Sequence, residues 1–329
     1  MFAIKNSTAN PSQIAGFWRR LFAFMLDGAV LGIIGLFLGY FLYDYFASVG
    51  VWGKTIGFVI ALSYFGIMNS YIFGGQTLGK MAKKIKVVSI NGTPLSVTAS
   101  FFRSSIFCAP FFLNGAIPNV DFLNSWLQST LSSLVFGVGL SIVYLFIFNR
   151  KTRQSLHDLA VGSYVVRVGL ETVPLPTSCI WRGHIAVVVM LCTLAMGLPI
   201  FTERFVATEP FISLLPLQKA LANEPGIKNF TLEFGTNPFP NVQKGTQPTS
   251  YLTINVVNYS KDIDQEALAN RIAQIVLATS EAANQKDFIT VSFHYGYDIG
   301  IGSAWKTNGF SHSPTEWRER LTLNDQGHR

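Results

Sequence analysis

The chain has 329 residues, of which 49% are hydrophobic and 13% are charged, and its formal net charge is +7. Soluble domains typically carry about 25% charged residues, so this composition argues against an ordinary soluble protein and indicates one that spans a membrane. The positive charge alone would suggest a nucleic-acid partner. Most of the excess lies beside apolar segments, where basic residues set membrane orientation, so we expect no nucleic-acid binding.

Five apolar segments follow one another along the first two thirds of the chain. Because about 20 apolar residues cross the hydrocarbon core of a bilayer, each segment is a candidate transmembrane helix. They are Leu21–Tyr43, Thr55–Phe73, Thr98–Pro118, Trp126–Phe148 and His184–Phe201. The third segment is the weakest, since it contains Arg103 near its start and Pro110 inside. The first is too long for a cleavable signal peptide, and we expect it to be retained.

Basic residues are concentrated in alternate loops, and this predicts the orientation. Residues 1–205 hold 15 basic and 6 acidic residues, whereas residues 206–329 hold 10 and 12. The amino terminus and the loops 74–100 and 149–183 are the basic segments, and basic loops stay in the cytoplasm. Five spans then place residues 206–329 outside the cytoplasm.

Two similar stretches follow the second and the fourth apolar segments. GQTLGKMAKKIKVVS begins at Gly75, and RQSLHDLAVGSYVVR begins at Arg153, so the offset is 78 residues. At this offset Lys80 lies opposite Asp158, and the first two apolar segments overlay the third and fourth. We predict a tandem repeat of two helical hairpins, each followed by a cytoplasmic elbow. Each elbow is either a short helix followed by a strand or an ordinary connecting loop.

These motifs resemble the RDD family of bacterial membrane proteins over about residues 14–168. The resemblance is carried by FWRRLFAFMLDGAV, GGQTLGKMAKKIKVVSINGTPLSV and TRQSLHDLAVGSYVVR. The family is named for an arginine and an aspartate in its first span and a later aspartate, which correspond here to Arg20, Asp27 and Asp158. The block Gln76–Lys80 also fits the family pattern. The resemblance implies a multi-pass protein of the bacterial inner (plasma) membrane, and it suggests transport, with ion or proton exchange as one form.

Asp27 lies inside an apolar segment, where an unpaired charge is costly, so we expect it to face the bundle and to have partners. Its candidate partners are Asn69 and Lys80. Arg20 lies two helical turns earlier on the same face, with its head group expected in interfacial water and Asp158 placed to pair with it. Two roles of Asp27 remain open: a proton or cation site, and a polar clamp that fixes helix packing.

Residues 206–329 differ in composition, with more Asn, Thr and Pro and both signs of charge. KNFTLEF, SYLTINVV, FITVSFHYGY and DIGIGSAW are predicted as strands, with helices at Leu214–Ala222 and from Asp264 to about Asn284. We predict a compact α+β domain with an antiparallel sheet. No catalytic or metal-ligand spacing stands out, so we expect a binding module rather than an enzyme, with no metal or cofactor.

The predicted fold class is an α-helical transmembrane bundle of about five spans, followed by a small α+β soluble domain. Residues 1–168 form an RDD-like four-span domain, 169–205 a linker and a fifth span, and 206–329 the extracytoplasmic domain. The chain is either a transporter or ion/proton-exchange component that uses Asp27, or a membrane-anchored interaction or scaffold protein. The expected partners are the lipid bilayer, an ion or small solute, a second copy of the chain, or a periplasmic protein.

Overall fold

The computed structural model describes residues 13–115, 125–169, 180–208, 211–225, 227, 229–237, 248–258 and 260–327. The chain divides into two compact units. The first comprises the residues up to Leu42, Val51–Phe201 and Asp298–Ser303. The second comprises Tyr43–Gly50, Thr202–Tyr297 and the residues from Ala304 onward. Both units therefore combine segments that are distant in sequence.

The first part of the chain is almost entirely helical. In chain order its helices are α1 (Phe17–Phe41), α2 (Tyr43–Val49, in the second unit), α3 (Gly53–Met68), α4 (Leu78–Ala82), α5 (Val97–Leu113), α6 (Ser125–Ser132), α7 (Gly139–Phe148), α8 (Leu156–Ala160) and α9 (Arg182–Val206). A π-helical turn, Ser133–Val138, joins α6 to α7.

Within the described residues, four helical stretches are long and apolar enough to cross a membrane. They are Phe17–Phe41, Tyr43–Met68, Ser125–Phe148 and Arg182–Val206. The predicted span Thr98–Pro118 overlaps α5, which has 17 residues and is shorter than the four stretches. Residues 116–118 of that prediction lie outside the described residues. The chain is thus a membrane protein by the length and composition of its helices.

Helix α1 places its two charged motif residues on the protein side rather than on the outer side of the bundle. Its buried residues recur every three or four positions, as expected for one helical face. They are Arg20, Ala23, Asp27, Leu31, Gly35 and Gly39. Close packing continues further along this face, since a Cβ atom on Gly35 would collide with the carbonyl oxygen of Ile301.

Each elbow consists of a short helix followed by a strand, so this alternative is confirmed and the ordinary connecting loop is wrong. Helix α4 leads into β1 (Ile85–Ser89) and α8 leads into β2 (Ser163–Arg167). The two strands pair with each other in antiparallel register, with Val87 opposite Val165. The two elbows therefore lie side by side at the same end of the bundle.

The second unit contains a four-stranded sheet in the order β3-β4-β5-β6. The strands are β3 (Phe230–Asn237), β4 (Thr249–Asn258), β5 (Phe288–Asp298) and β6 (Ser303–His312). Strands β3 and β4 are antiparallel, but β4 and β5 are parallel. The predicted all-antiparallel sheet is therefore wrong. A parallel pair needs a long crossover, and the predicted helix supplies it as α11 (Gln265–Thr279) and α12 (Glu281–Asn284).

The core of the second unit lies between the sheet and the helices. Helix α10 (Leu215–Ala222) lies beside α11, which also contacts α13 (Pro314–Gly327). Trp317 of α13 is completely buried in this core, and its Nε1 donates to the Ile289 carbonyl at 2.9 Å. Helix α13 was not predicted from the sequence. The second unit is thus an α+β domain that follows a helical bundle.

Candidate functional site

A cavity of about 410 Å³ lies inside the first unit, beside the elbows. Its wall is mostly apolar and aromatic, and includes Phe17, Leu21, Phe24, Phe65, Phe107, Ile142 and Phe146. Its polar lining consists of Arg20, Asp27, Asn69, Lys80, Arg103, Ser104 and His157. Four of the six residues singled out from the sequence thus line a single cavity.

Asp158 is completely buried and accepts hydrogen bonds from five donor groups. Its Oδ2 accepts from Arg20 Nη2 at 2.8 Å and from the Ser155 backbone N–H at 3.2 Å. Its Oδ1 accepts from Arg103 Nη2 at 2.7 Å, from Arg103 Nε at 3.0 Å and from Ser163 Oγ at 3.1 Å. Helices α1 and α5 are thereby both bound to the second elbow.

The predicted contact between Arg20 and Asp158 is present, but the surroundings of Arg20 differ from the prediction. The guanidinium is buried rather than in interfacial water. It also donates to the backbone carbonyl of Arg153 and lies 5.1 Å from the ring centroid of Phe146. The guanidinium is more stable beside the buried carboxylate of Asp158 than in interfacial water, because hydrogen bonds between two opposite charges are strong where water is excluded.

Arg103 is a site residue that sequence reasoning missed. One aspartate, Asp158, lies between two arginines, Arg20 and Arg103. Arg103 entered the sequence analysis only as a charge that weakened a span. The 78-residue offset was the available signal, since it overlays α5 on α1, which also carries a charged residue on its buried face.

Asp27 is 1% exposed and is held by three donors that are not its predicted partners. Its Oδ1 accepts from Tyr64 Oη at 2.7 Å and from the Gly79 N–H at 2.8 Å. Its Oδ2 accepts from Thr77 Oγ1 at 2.6 Å. These bonds join α1 to α3 and α4. Neither Asn69 nor Lys80 donates to this carboxylate.

Lys80 and Asn69 instead bind each other, with Lys80 Nζ donating to Asn69 Oδ1 at 2.8 Å. Lys80 Nζ also lies 3.4 Å from Thr77 Oγ1. No carboxylate oxygen of the described residues lies within ion-pair distance of this ammonium. Burial lowers the pKa of Lys80 to about 7, and the nearby Arg103 charge acts in the same direction. Lys80 is therefore a cation without a counter-ion that changes protonation near neutral pH.

The acidic and imidazole groups of the second elbow are fixed in one charge state. Burial opposes ionisation of Asp158, but the adjacent arginines outweigh it and hold its pKa well below the usual range. Burial lowers the pKa of His157 to about 3, so its ring is neutral at neutral pH. Of Asp158, His157 and Lys80, Lys80 is thus the one whose pKa lies near neutral pH.

Gln76 has a structural position outside the cavity. Its Nε2 donates to the carbonyl of Ile85 at 2.9 Å, which ties the start of α4 to the start of β1. Gln154 makes the corresponding bond to Ser163 at 3.0 Å in the second elbow. Both glutamines close a turn of the backbone, and neither contacts the cavity.

The fold and these charged contacts define a membrane protein with a polar site inside its helical bundle. Residues 14–162 match the RDD family, which confirms the resemblance seen in the sequence, and the chain therefore carries an RDD region. This region is similar to a Bacillus subtilis (strain 168) protein named "Uncharacterized protein YckC", with 26% identity over 162 residues. The alignment covers 47% of this chain and 86% of that protein. No solved structure matches the chain.

Proposed function

We propose that this protein moves an ion or small solute across the bacterial inner membrane and that the cavity is its binding site. The observation that carries this proposal is the Lys80 ammonium, which lines an apolar cavity without a carboxylate partner. A lysine kept only for packing would be cheaper as an apolar residue, because a desolvated charge costs free energy. Ionisable groups inside membrane bundles are functional candidates by default.

The proposed role of Asp27 is to hold the site together while Lys80 titrates. Three donors already occupy the Asp27 carboxylate, so it orients Thr77 and α4 and thereby the lysine beside them. Lys80 would take up and release the proton of an exchange cycle. In this proposal the polar clamp and the proton site, which the sequence left as alternatives for one residue, belong to two residues.

The proposed topology has five spans, with α5 as the third. Its buried Arg103 pairs with Asp158, so the charge that weakened this span has a protein partner. The amino terminus and both elbows would then be cytoplasmic and residues 206–329 periplasmic or extracellular. Two helical hairpins followed by similar elbows support a tandem repeat. A periplasm-specific reporter fused after Arg329 should be active, and activity of a cytoplasmic reporter there would refute this topology.

A flux experiment tests the transport proposal. The full chain is reconstituted into proteoliposomes that contain a pH dye, and pulses of NaCl, KCl or sodium octanoate are added under a set pH gradient. Every pH change is measured relative to protein-free liposomes, because undissociated octanoic acid crosses a bilayer unaided. We expect one of these pulses to produce a pH change that Lys80→Gln abolishes and Lys84→Gln leaves intact, since Lys84 is exposed and does not line the cavity. Asp27→Asn should reduce the flux by weakening the hydrogen bonds that orient Thr77 and α4.

If none of the three pulses produces a pH change with folded protein, the proposal of ion or solute exchange fails. The chain would then be better described as a membrane-anchored interaction protein whose second unit binds a periplasmic partner or a second copy of the chain. We propose no catalytic role for either unit.

A further inference from the structure

The charges around the cavity do not cancel. Three cationic side chains, Arg20, Lys80 and Arg103, surround two carboxylates, Asp27 and Asp158. With Lys80 protonated, the group carries one net positive charge. His157, the remaining ionisable group on the wall, is neutral at neutral pH.

The two carboxylates have little capacity left for a cationic ligand. Asp158 accepts from five donor groups, and Asp27 accepts from three while being 1% exposed. A carboxylate offers about four lone-pair sites, so nearly all are in use. A metal or ammonium ion entering the cavity would have to displace bonds that hold three helices.

The donors, in contrast, are not fully used. Lys80 Nζ has only neutral acceptors, and Arg103 Nη1 donates to none of the described residues. Two further polar groups on the wall, Asn69 Nδ2 and Ser104 Oγ, are buried without a partner in the described chain. Each such group is costly. This surplus of donors fits a ligand that brings acceptors and a negative charge.

The walls indicate that this ligand also has an apolar part. A second cavity of about 510 Å³ shares the lining residues Phe24, Phe65, Phe107, Ile142 and Val143 with the first. Its other walls are also mainly apolar. A fully hydrated inorganic anion would leave this surface in contact with water, at a cost that grows with the apolar area.

We propose that the cavity binds an anion with an apolar body, a carboxylate or phosphate head group on a hydrocarbon tail, with Lys80 and Arg103 as its charged donors. The head group lies at the elbows and the tail extends along the aromatic wall into the second cavity. This names the solute class of the proposed function and rests on it. Two sources share this chemistry: a soluble organic acid and an acidic lipid of the bilayer.

The test is a binding titration of the full chain in a non-ionic detergent. The probes are octanoate, a short-chain phosphatidylglycerol, octylammonium and octanol. We expect binding of at least one anionic probe and none of the cation or the alcohol. Lys80→Gln should weaken anion binding about tenfold to a hundredfold, as expected for one lost charge-assisted hydrogen bond. Lys84→Gln is the matched control and should bind as the wild type does.

A second variant, Asn69→Asp, tests the same inference if Lys80→Gln does not fold. Asn69→Asp keeps the shape of the residue that Lys80 contacts at 2.8 Å, and it gives the ammonium an internal counter-ion. Anion binding should be lost while the lysine and the fold remain. Octanoate binding without phosphatidylglycerol binding would identify a soluble acid, and the reverse would identify a lipid.

Unchanged anion binding in both variants, or stronger binding of octylammonium than of octanoate, would overturn the inference. This failure is distinct from failure of the transport proposal. Cation-driven flux without anion binding would refute only the solute class, whereas anion binding without any flux would refute only transport.

Discussion

The first elbow (α4 and β1) and the second elbow (α8 and β2) share a backbone design and differ in charge. In each, a glutamine binds the carbonyl of the first strand residue, Gln76 to Ile85 and Gln154 to Ser163. Each also binds a charged side chain of a preceding helix. In the first elbow that side chain is an acid on α1, and in the second it is an arginine on α5.

The two elbows therefore differ in how their buried carboxylates are held. In the second elbow the buried acid, Asp158, forms ion pairs with two arginines. The first elbow holds Asp27 with a tyrosine, a threonine and a backbone N–H, which are neutral donors. Its charged residue on the cavity wall, Lys80, has no carboxylate of the described residues within ion-pair distance. A common backbone frame thus holds an ion-paired carboxylate in one elbow and, in our proposal, an exchange site in the other.

The largest expected effect comes from opening the second elbow. Asp158→Asn removes the charge that two buried arginines share, and loss of one partner of a buried ion pair costs about 3–5 kcal/mol. We expect little folded protein in detergent, measured by size-exclusion chromatography. Glu319→Gln, an exposed acid on α13, should elute as the wild type does. A monodisperse, thermally stable Asp158→Asn protein would show that the ion pairs of Asp158 are not needed for folding.

The next effect tests how closely α1 approaches the first elbow. A Cβ on Gly79 would collide with the Ala23 carbonyl oxygen and lie close to Asp27 Oδ1. Gly79→Ala should therefore destabilise the protein by about 1–3 kcal/mol, as overpacking does. The matched control is Gly28→Ala in α1, where a Cβ would meet nothing within 4 Å. Equal melting temperatures for the two variants would contradict the close approach.

A smaller effect is expected at Asp27, because its partners are neutral. The asparagine in Asp27→Asn can still accept from Tyr64 and Gly79, and the Thr77 hydroxyl can rotate to accept from the new amide. The change weakens charge-assisted bonds without stranding a charge, so we expect a loss of about 1–2 kcal/mol. The melting temperature of Asp27→Asn should thus be clearly higher than that of Asp158→Asn. The reverse ranking would mean that the first elbow is the structural one.

The sequence predicted contacts that follow from local spacing and from the repeat. Arg20 and Asp158 were expected to meet because both motifs lie at the same end of their segments, and they do meet. The elbows were predicted because a short helical pattern precedes β-branched residues. Strand alternation also located β3 and β4, since period-two patterns are local.

What escaped prediction depends on packing between distant segments. Tyr64 reaches Asp27 only because α3 lies beside α1, and no spacing rule identifies that face. The parallel pairing of β4 with β5 was missed because alternation specifies a strand but not the direction of its neighbour. Helix α13 has few apolar residues, and Trp317 is the large side chain that it buries among its described residues.

A pH dependence is also expected, and its source is Lys80 of the first elbow. Because burial lowers the pKa of Lys80 to about 7 from 10.5, the unfolded chain binds the proton more tightly than the folded chain. Stability linked to this residue is therefore lowest below about pH 7 and rises as the pH increases from 7 toward 10.5. Melting temperatures of the full chain measured in detergent from pH 6 to about 9 should show this rise. In Lys80→Gln the rise should be smaller, while Lys84→Gln should keep the wild-type slope. If Lys80→Gln leaves the dependence of melting temperature on pH unchanged, the Lys80 ammonium is well solvated. Neither elbow would then contain a group that titrates near neutral pH.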